Sequence, residues 1–470
     1  MDMMRSRWLA GLVLTVFGMT AATPALAEPD ENRAIVRIKD GIAGLPVINL
    51  VCSIVGCAVD SSLDTAPENG AVQQSSLFLV KLPPILNIDV LLGFVLRLLG
   101  VATVEPDLKL VVADAPAADE SGPAVQDYLW RRTPVDYFGT TVWEGYLQQP
   151  ATSIVRLRDT QCGLRTTGGG TVAIIDTGVD TDHPALKPRL INGWDFTRNI
   201  QGGDERNDLG QASAAVLDGS GTCMVNQASA AVLDQASAAV LDGHPEYSSY
   251  GHGTMVAGVV HLVAPNAKIM PLKAFRADGT GYTSDIIRAI YYASNRGAKV
   301  LNMSFSRPTS SPEMARALDY ARLRGVIPVS SAGNDGLKVL RYPAALSSVM
   351  GIASTSNQDT RSPFSNYGSS LVWAAAPGEG VITTYPGKSY AATWGTSFST
   401  PFASGAVALM VGAKSTASYA DTSWALSQAK PVPGELGYGR LDLYKAVQAA
   451  RSRWYITSLG PGPAASCEAY

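Results

Sequence analysis

The sequence predicts a three-layer α/β domain with a mainly parallel sheet, preceded by a small α/β domain. Two observations carry this. Between about residues 150 and 450, short apolar runs bounded by turn residues alternate with longer helical stretches, the pattern of parallel strands buried on both faces. Ahead of them, two β-rich runs end at Pro83-Pro84, and residues 113–122 turn rich in Ala, Asp, Pro and Gly, the composition of a linker.

In chain order, the first residues read as an export signal. Arg5 and Arg7 precede an apolar run at 8–19, and Ala25-Leu26-Ala27 offers a small-residue cleavage site, so 1–27 is expected to be removed. Arg5-Ser6-Arg7 is not a twin arginine, which favours ordinary secretion to the periplasm or the medium. Residues 34–38 and 76–82 read as strands around a mostly apolar stretch at 47–59, giving a small unit within 28–149. Residues 86–99 are apolar, but Asp89 and Arg97 interrupt them and they fall short of the ~20 residues a membrane span needs. A core helix and no stable membrane anchor are expected there.

The main domain is expected over 150–452, with 453–470 as a C-terminal tail. Its strands read at 171–175, 268–272, 298–303 and 326–330, and its helices at 284–296 and 311–324. One segment interrupts it. Gln-Ala-Ser-Ala-Ala-Val-Leu-Asp occurs at 211–218, 227–234 and 235–242. Three eight-residue copies are too few and too short for a solenoid. The 211–242 repeats therefore read as a surface insertion, with a binding or regulatory loop as the alternative.

Composition narrows the function. The chain of 470 residues is 46% hydrophobic and 16% charged, ordinary for a globular protein, and its net charge of −3 leaves no basic footprint for nucleic acid. Cys52 and Cys57 are close enough in sequence to pair. With Cys162, Cys223 and Cys467 the count is odd, leaving a free thiol or an intermolecular bond. The four histidines are scattered and no C-x-x-C occurs, so no zinc set, metal or cofactor is expected.

Three motifs carry chemistry. Val172 to Gly178 puts Asp176 at the end of a buried strand. Gly251-His252-Gly253-Thr254 opens a small-residue helix. Gly395-Thr396-Ser397-Phe398-Ser399-Thr400-Pro401 puts a serine before a helix. A serine hydroxyl is a weak nucleophile until a base takes its proton; histidine suits that task near neutral pH, and an acid must orient the imidazole. Asn334, after the strand at 326–330, can offer its amide to a developing oxyanion beside the Ser397 N–H. Singly, each has a plain alternative: Asp176 as a strand-end cap, His252 as a packed histidine, Ser397 as a helix cap, Asn334 as a turn residue. Their joint order and context favour catalysis. His183, His244 and His261 lack such a context and read as loop or packing residues.

In these motifs the chain resembles the subtilase family of serine proteases, from about Arg156 to Ala450. Pro271-Leu272-Lys273, Asp278-Gly279-Thr280-Gly281, Asn302-Met303-Ser304, Ser365-Asn366-Tyr367-Gly368, Ala376-Pro377-Gly378 and Gly439-Arg440-Leu441-Asp442 also look like family segments. The chain order Asp, His, Ser is that of subtilisin. The resemblance implies a subtilisin-like catalytic domain, a propeptide-like region before it, and a secreted serine endopeptidase made as a zymogen and working through an acyl-enzyme. It implies that a polypeptide substrate lies extended between Gly279, Thr280, Gly281 and Ser304, Phe305, Ser306, and that the chain's own propeptide inhibits it until a cut somewhere in 115–155. Three departures stand out. Residues 259–265 run on without the polar ligands of the family's calcium loop, so no calcium site is carried over. Ser306-Arg307-Pro308 replaces glycines frequent there. The repeats lie just upstream of His252. The related sedolisins use a glutamate base and an oxyanion-hole aspartate; His252 and Asn334 argue against them. The competing class is a non-catalytic binding protein on a protease scaffold, against which all four filled positions weigh.

Overall fold

The computed structural model describes residues 29–40, 43–65, 75–83, 100–112, 127–209, 230–232, 247–457 and 467. The expected signal, the helix at 86–99, the linker at 113–122, Cys223, His244 and most of the repeats lie outside these residues.

The N-terminal unit is β1 (Pro29–Ile38), α1 (Gly44–Val55), β2 (Ala58–Ser62), β3 (Leu77–Lys81) and β4 (Val101–Val111). The strands pair antiparallel in the order β4-β1-β3-β2. Successive side chains of a strand face opposite ways, and this sheet uses both faces. Ala34, Val36, Ile38, Phe78 and Val80 pack with Ile48 and Val51 of α1, whereas Ile35, Leu77 and Leu79 join the core of the main body.

The main body opens with a hairpin, β5 (Pro134–Tyr137) and β6 (Thr140–Trp143), and two short helices, α2 (Glu144–Gln148) and α3 (Pro150–Ile154). Buried hydroxyls tie this segment inward: Tyr137 donates to Leu262 O at 2.5 Å and Tyr146 to Gly258 O at 2.7 Å. Then follow β7 (Thr171–Asp176), β8 (Trp194–Asp195), β9 (Ile200–Gln201), β10 (Ala230–Val232), α4 (His252–Val263), β11 (Lys268–Lys273), β12 (Thr280–Tyr282), α5 (Thr283–Asn295), β13 (Val300–Met303), α6 (Pro312–Leu323), β14 (Ile327–Ser331), β15 (Met350–Thr355), β16 (Ala374–Pro377), β17 (Val381–Tyr385), β18 (Ser389–Thr393), α7 (Thr396–Ala413), α8 (Tyr419–Leu426) and α9 (Leu443–Arg453).

An eight-stranded sheet, ordered β16-β15-β14-β13-β7-β11-β8-β9, is parallel except for the β8–β9 pair. Its strands read as near-continuous apolar runs because helices cover both faces. Val172 and Ile174 of β7 face α4 and α7, while Ala173 and Ile175 face α5 and α6. The central layer, with helices on either side, makes the three layers of the expected fold. The strand expected at 298–303 starts at Val300, and Ser397 lies inside the first turn of α7 rather than before it, because Gly395 takes the N-cap position. The 47–59 stretch resolves into α1 and the start of β2. Of the repeats, residues 230–232 pair antiparallel with β18. Cys52 pairs with Cys57 and Cys162 with Cys467.

Candidate active site

Asp176 ends β7, at the centre of the sheet between β11 and β13. Carboxyl ends of parallel strands are where open α/β sheets hold their ligands. His252 is the first residue of α4, brought against Asp176 by a close backbone crossing: a Cβ on Gly253 would lie 1.9 Å from Gly178 O. His252 Nδ1 lies 2.7 Å from Asp176 Oδ1, and both side chains are sealed from solvent. Asp176 Oδ1 also accepts from Thr177 N at 2.8 Å. A carboxylate facing Nδ1 fixes the proton there and leaves Nε2 as the basic end of the ring.

The His252 ring lies 5.4 Å, centroid to centroid, from Phe398, the residue after Ser397. Ser397 is buried. Its Oγ donates to Ser304 O at 3.1 Å, and Ser304 Oγ donates back to Ser397 O at 2.8 Å, tying the start of α7 to the end of β13. Asn334 follows β14. Its Oδ1 accepts from Thr396 N at 2.9 Å and Thr396 Oγ1 at 2.7 Å, which leaves the orientation of its amide fixed; Nδ2 lies 3.5 Å from the position a Cβ on Gly395 would take. The structure therefore gathers Asp176, His252, Ser397 and Asn334 where the sheet's central strands end.

Of the expected substrate segments, Ser304 meets Ser397 directly, and Phe275, bridged to Gly281, has its ring 5.1 Å from that of Phe305. β12 is already paired, with β4 of the N-terminal unit: Thr280 lies opposite Val111, Gly281 opposite Leu110 and Tyr282 opposite Lys109, and Val112 N donates to Gly279 O at 2.9 Å. Leu110 and Val112 are buried in one core with Phe275 and Ile286.

Sequence reasoning missed what anchors this strand. Asp107 Oδ1 accepts from Ser284 N at 2.8 Å and Asp107 pairs with Arg33 at 2.9 Å. Glu105 accepts from Ser311 Oγ at 2.5 Å and Glu313 N at 3.3 Å; Arg37 pairs with Glu313 at 2.6 Å. Two acids thus meet the N-termini of α5 and α6, where helix N–H groups lack partners. The spacing Glu105-x-Asp107 puts both on one face of a strand and was the available signal. Also missed were the buried Lys273, which donates to Thr177 O at 2.7 Å and pairs with Asp208 at 2.6 Å, and the buried Glu205. His183 and His261 are buried packing residues; burial pushes them down to about 4 and about 3. Among the described residues no group of His, Cys, Asp and Glu could hold a metal, and no helix is long and apolar enough to cross a membrane.

Over residues 167–439 the chain matches the model of the subtilase family. It is similar to thermitase of Thermoactinomyces vulgaris, 32% identical over 283 residues that make up 60% of this chain and 89% of thermitase. Subtilisin BL of Lederbergia lenta is 34% identical over 254 residues, 52% of this chain and 77% of that protein. The fold also resembles the crystal structure of fervidolysin from Fervidobacterium pennivorans, with a TM-score of 0.65 at 22% identity, covering 93% of this chain and 62% of that one. At that identity the likeness speaks for the fold alone.

Proposed function

Because the chain belongs to the subtilase family and is a serine-type endopeptidase, we propose that Asp176, His252 and Ser397 are its catalytic triad, that it is secreted, and that it is made as a zymogen. The observation that carries the triad is the sealed Asp176–His252 pair at 2.7 Å beside the helical turn bearing Ser397. Ser397 Oγ leaves Ser304 O and attacks the scissile carbonyl carbon, while its proton passes to His252 Nε2. Asn334 Nδ2 and the Ser397 N–H take the oxyanion. Collapse expels the amine, which carries off the proton from His252. Water, deprotonated by the same nitrogen, then frees the acyl group from Ser397 and restores the hydroxyl. Asp176 holds the ring and balances the imidazolium throughout.

Extended polypeptides suit a cleft whose edge, Gly279 to Gly281, offers main-chain pairing. The zymogen reading is supported by β4 lying along that edge, which leaves no room there for a substrate strand. The boundary of the propeptide-like region is better drawn near 127 than at 149, since Leu129, Tyr137 and Tyr146 share the main core. Two disulfides favour an oxidising compartment and so export. The test is fluorophosphonate labelling of the exported protein, read by mass spectrometry. Label on Ser397 in a chain shortened at its N-terminus is expected, and Ser397→Ala should abolish turnover in a folded protein. Undiminished activity in folded Ser397→Ala would sink the triad.

A further inference from the structure

A second buried carboxylate stands next to the Asp176–His252 pair, and the reaction as described does not use it. Glu205 opens a short 3-10 turn, Glu205–Asp208, and is 1% exposed. Its Oε2 accepts from Gly251 N at 3.0 Å and from Thr177 Oγ1 at 3.2 Å; its Oε1 accepts from Thr254 Oγ1. Gly251 precedes His252, Thr254 is two residues beyond it, and Thr177 follows Asp176. The links close on themselves. Thr177 Oγ1 accepts from Gly253 N at 2.9 Å, Thr177 N donates to Asp176 Oδ1 at 2.8 Å, and Thr254 Oγ1 accepts from Asp180 N at 2.7 Å. One side chain thus holds the turn after the acid and the first turn of the histidine's helix.

The backbone of Glu205 is fixed as firmly. Val179 N donates to Gly203 O at 2.8 Å, and a Cβ on Gly178 would lie 2.7 Å from Gly203 O and 2.9 Å from Glu205 N. Segment 203–205 therefore lies directly across the turn after β7. A carboxyl supplied only to cap α4 would need Gly251 alone; this one also grips the strand end that carries Asp176.

We propose that Glu205 is a positioning residue for the triad, a clamp that sets the distance and angle at which Asp176 meets His252. Burial pushes its carboxyl up to about 8, with the Thr254 hydrogen bond and Lys273 opposing. Glutamine has the same shape and is its natural stand-in. In Glu205→Gln the side-chain amide oxygen would still accept from Gly251 N and Thr177 Oγ1.

The proposal rests on the triad reading. It is tested on the full processed enzyme, with rates expressed per Ser397 labelled by fluorophosphonate so that misfolded protein does not count. For Glu205→Ala, kcat per labelled site should fall on the order of 10²-fold, the cost of a misplaced catalytic group. KM should stay within about twofold, since no substrate contact is lost. Glu205→Gln should regain most of the loss. The downfield proton resonance of the His252 Nδ1–H should move in the alanine variant and return in the glutamine one. An unchanged kcat per labelled site in Glu205→Ala, with only a lower melting temperature, would make Glu205 mere scaffold. Should Glu205→Ala not fold, Thr254→Val removes one arm of the clamp, and an unchanged kcat there overturns the proposal equally. Failure of the triad reading looks different: wild-type enzyme would then carry no label on Ser397.

Discussion

At the scale of single residues, the site depends on donors and acceptors held before substrate arrives. Asn334 is an instance: two hydrogen bonds from Thr396 fix its amide plane. Asn334→Leu keeps the bulk and removes the proposed oxyanion donor. Its kcat should fall by about 10²–10³, the cost measured when such a donor is removed from a subtilisin, with KM little changed. Steady-state kinetics on a purified peptide substrate checks this, and an equal rise in KM with kcat intact would assign Asn334 to ground-state binding. The residues proposed as the triad were legible in the sequence because Asp176 closes an apolar run, while His252 and Ser397 sit among glycines and small residues of the kind a close backbone crossing requires, as at Gly253. Glu205 was not. It stands in Gly-Gly-Asp-Glu-Arg-Asn-Asp, which reads as a solvated turn, and its partners lie 28, 46 and 49 residues away.

At the scale of elements, α5 shows what the N-terminal unit contributes. Its N-cap residue, Tyr282, makes no side-chain cap, and Asp107 from β4 supplies one. The interface is rich in carboxyls. Burial pushes Asp285 up to about 7, with Arg288 opposing and Asp107 reinforcing, and burial likewise raises Glu105. An acid whose pKa is higher in the docked state takes up a proton on docking. Its contribution is complete below the ordinary carboxylate range near 4 and is lost as pH rises through about 7. Docking of the N-terminal unit should therefore weaken from mildly acidic to neutral pH. Gel filtration of the cut chain checks the sign: the N-terminal fragment should co-elute with the catalytic body at about pH 5 and separate above about pH 7. Tighter co-elution at the higher pH would reverse the reading. Four strands of the main sheet, β7, β11, β13 and β14, were legible because burial on both faces writes them as apolar runs, whereas β8, β9, β15 and β16 were not read. The hairpins β5–β6 and β17–β18 were not, since Thr140–Trp143 and Ser389–Thr393 mix polar and apolar residues within four or five positions.

At the scale of the whole molecule, one residue near the C-terminus is tied covalently to the body. Cys162 lies ahead of β7 and Cys467 near the C-terminus, 305 residues apart. A cross-link over so long a span restricts the unfolded chain, with a typical stabilisation of about 2–4 kcal/mol. Cys467→Ser should lower the melting temperature while leaving Ser397 labelling at room temperature unchanged, because the bond touches none of the four site residues. Loss of labelling would mean that the tail also shapes the site. The sequence offered the five cysteines and the short Cys52–Cys57 spacing, but spacing says nothing about a partner 305 residues away.

The pairing of β4 with β12 carries one more consequence. While the chain is continuous, its N-terminal unit faces the cleft at the high effective concentration of a tethered ligand, and dilution cannot remove it. Once the connection is cut, the same surfaces hold only by their dissociation constant. On the proposed zymogen reading, activity then follows how crowded the molecules are: a dense population of cut chains would stay silenced by its own fragments, and molecules that diffuse apart would switch on.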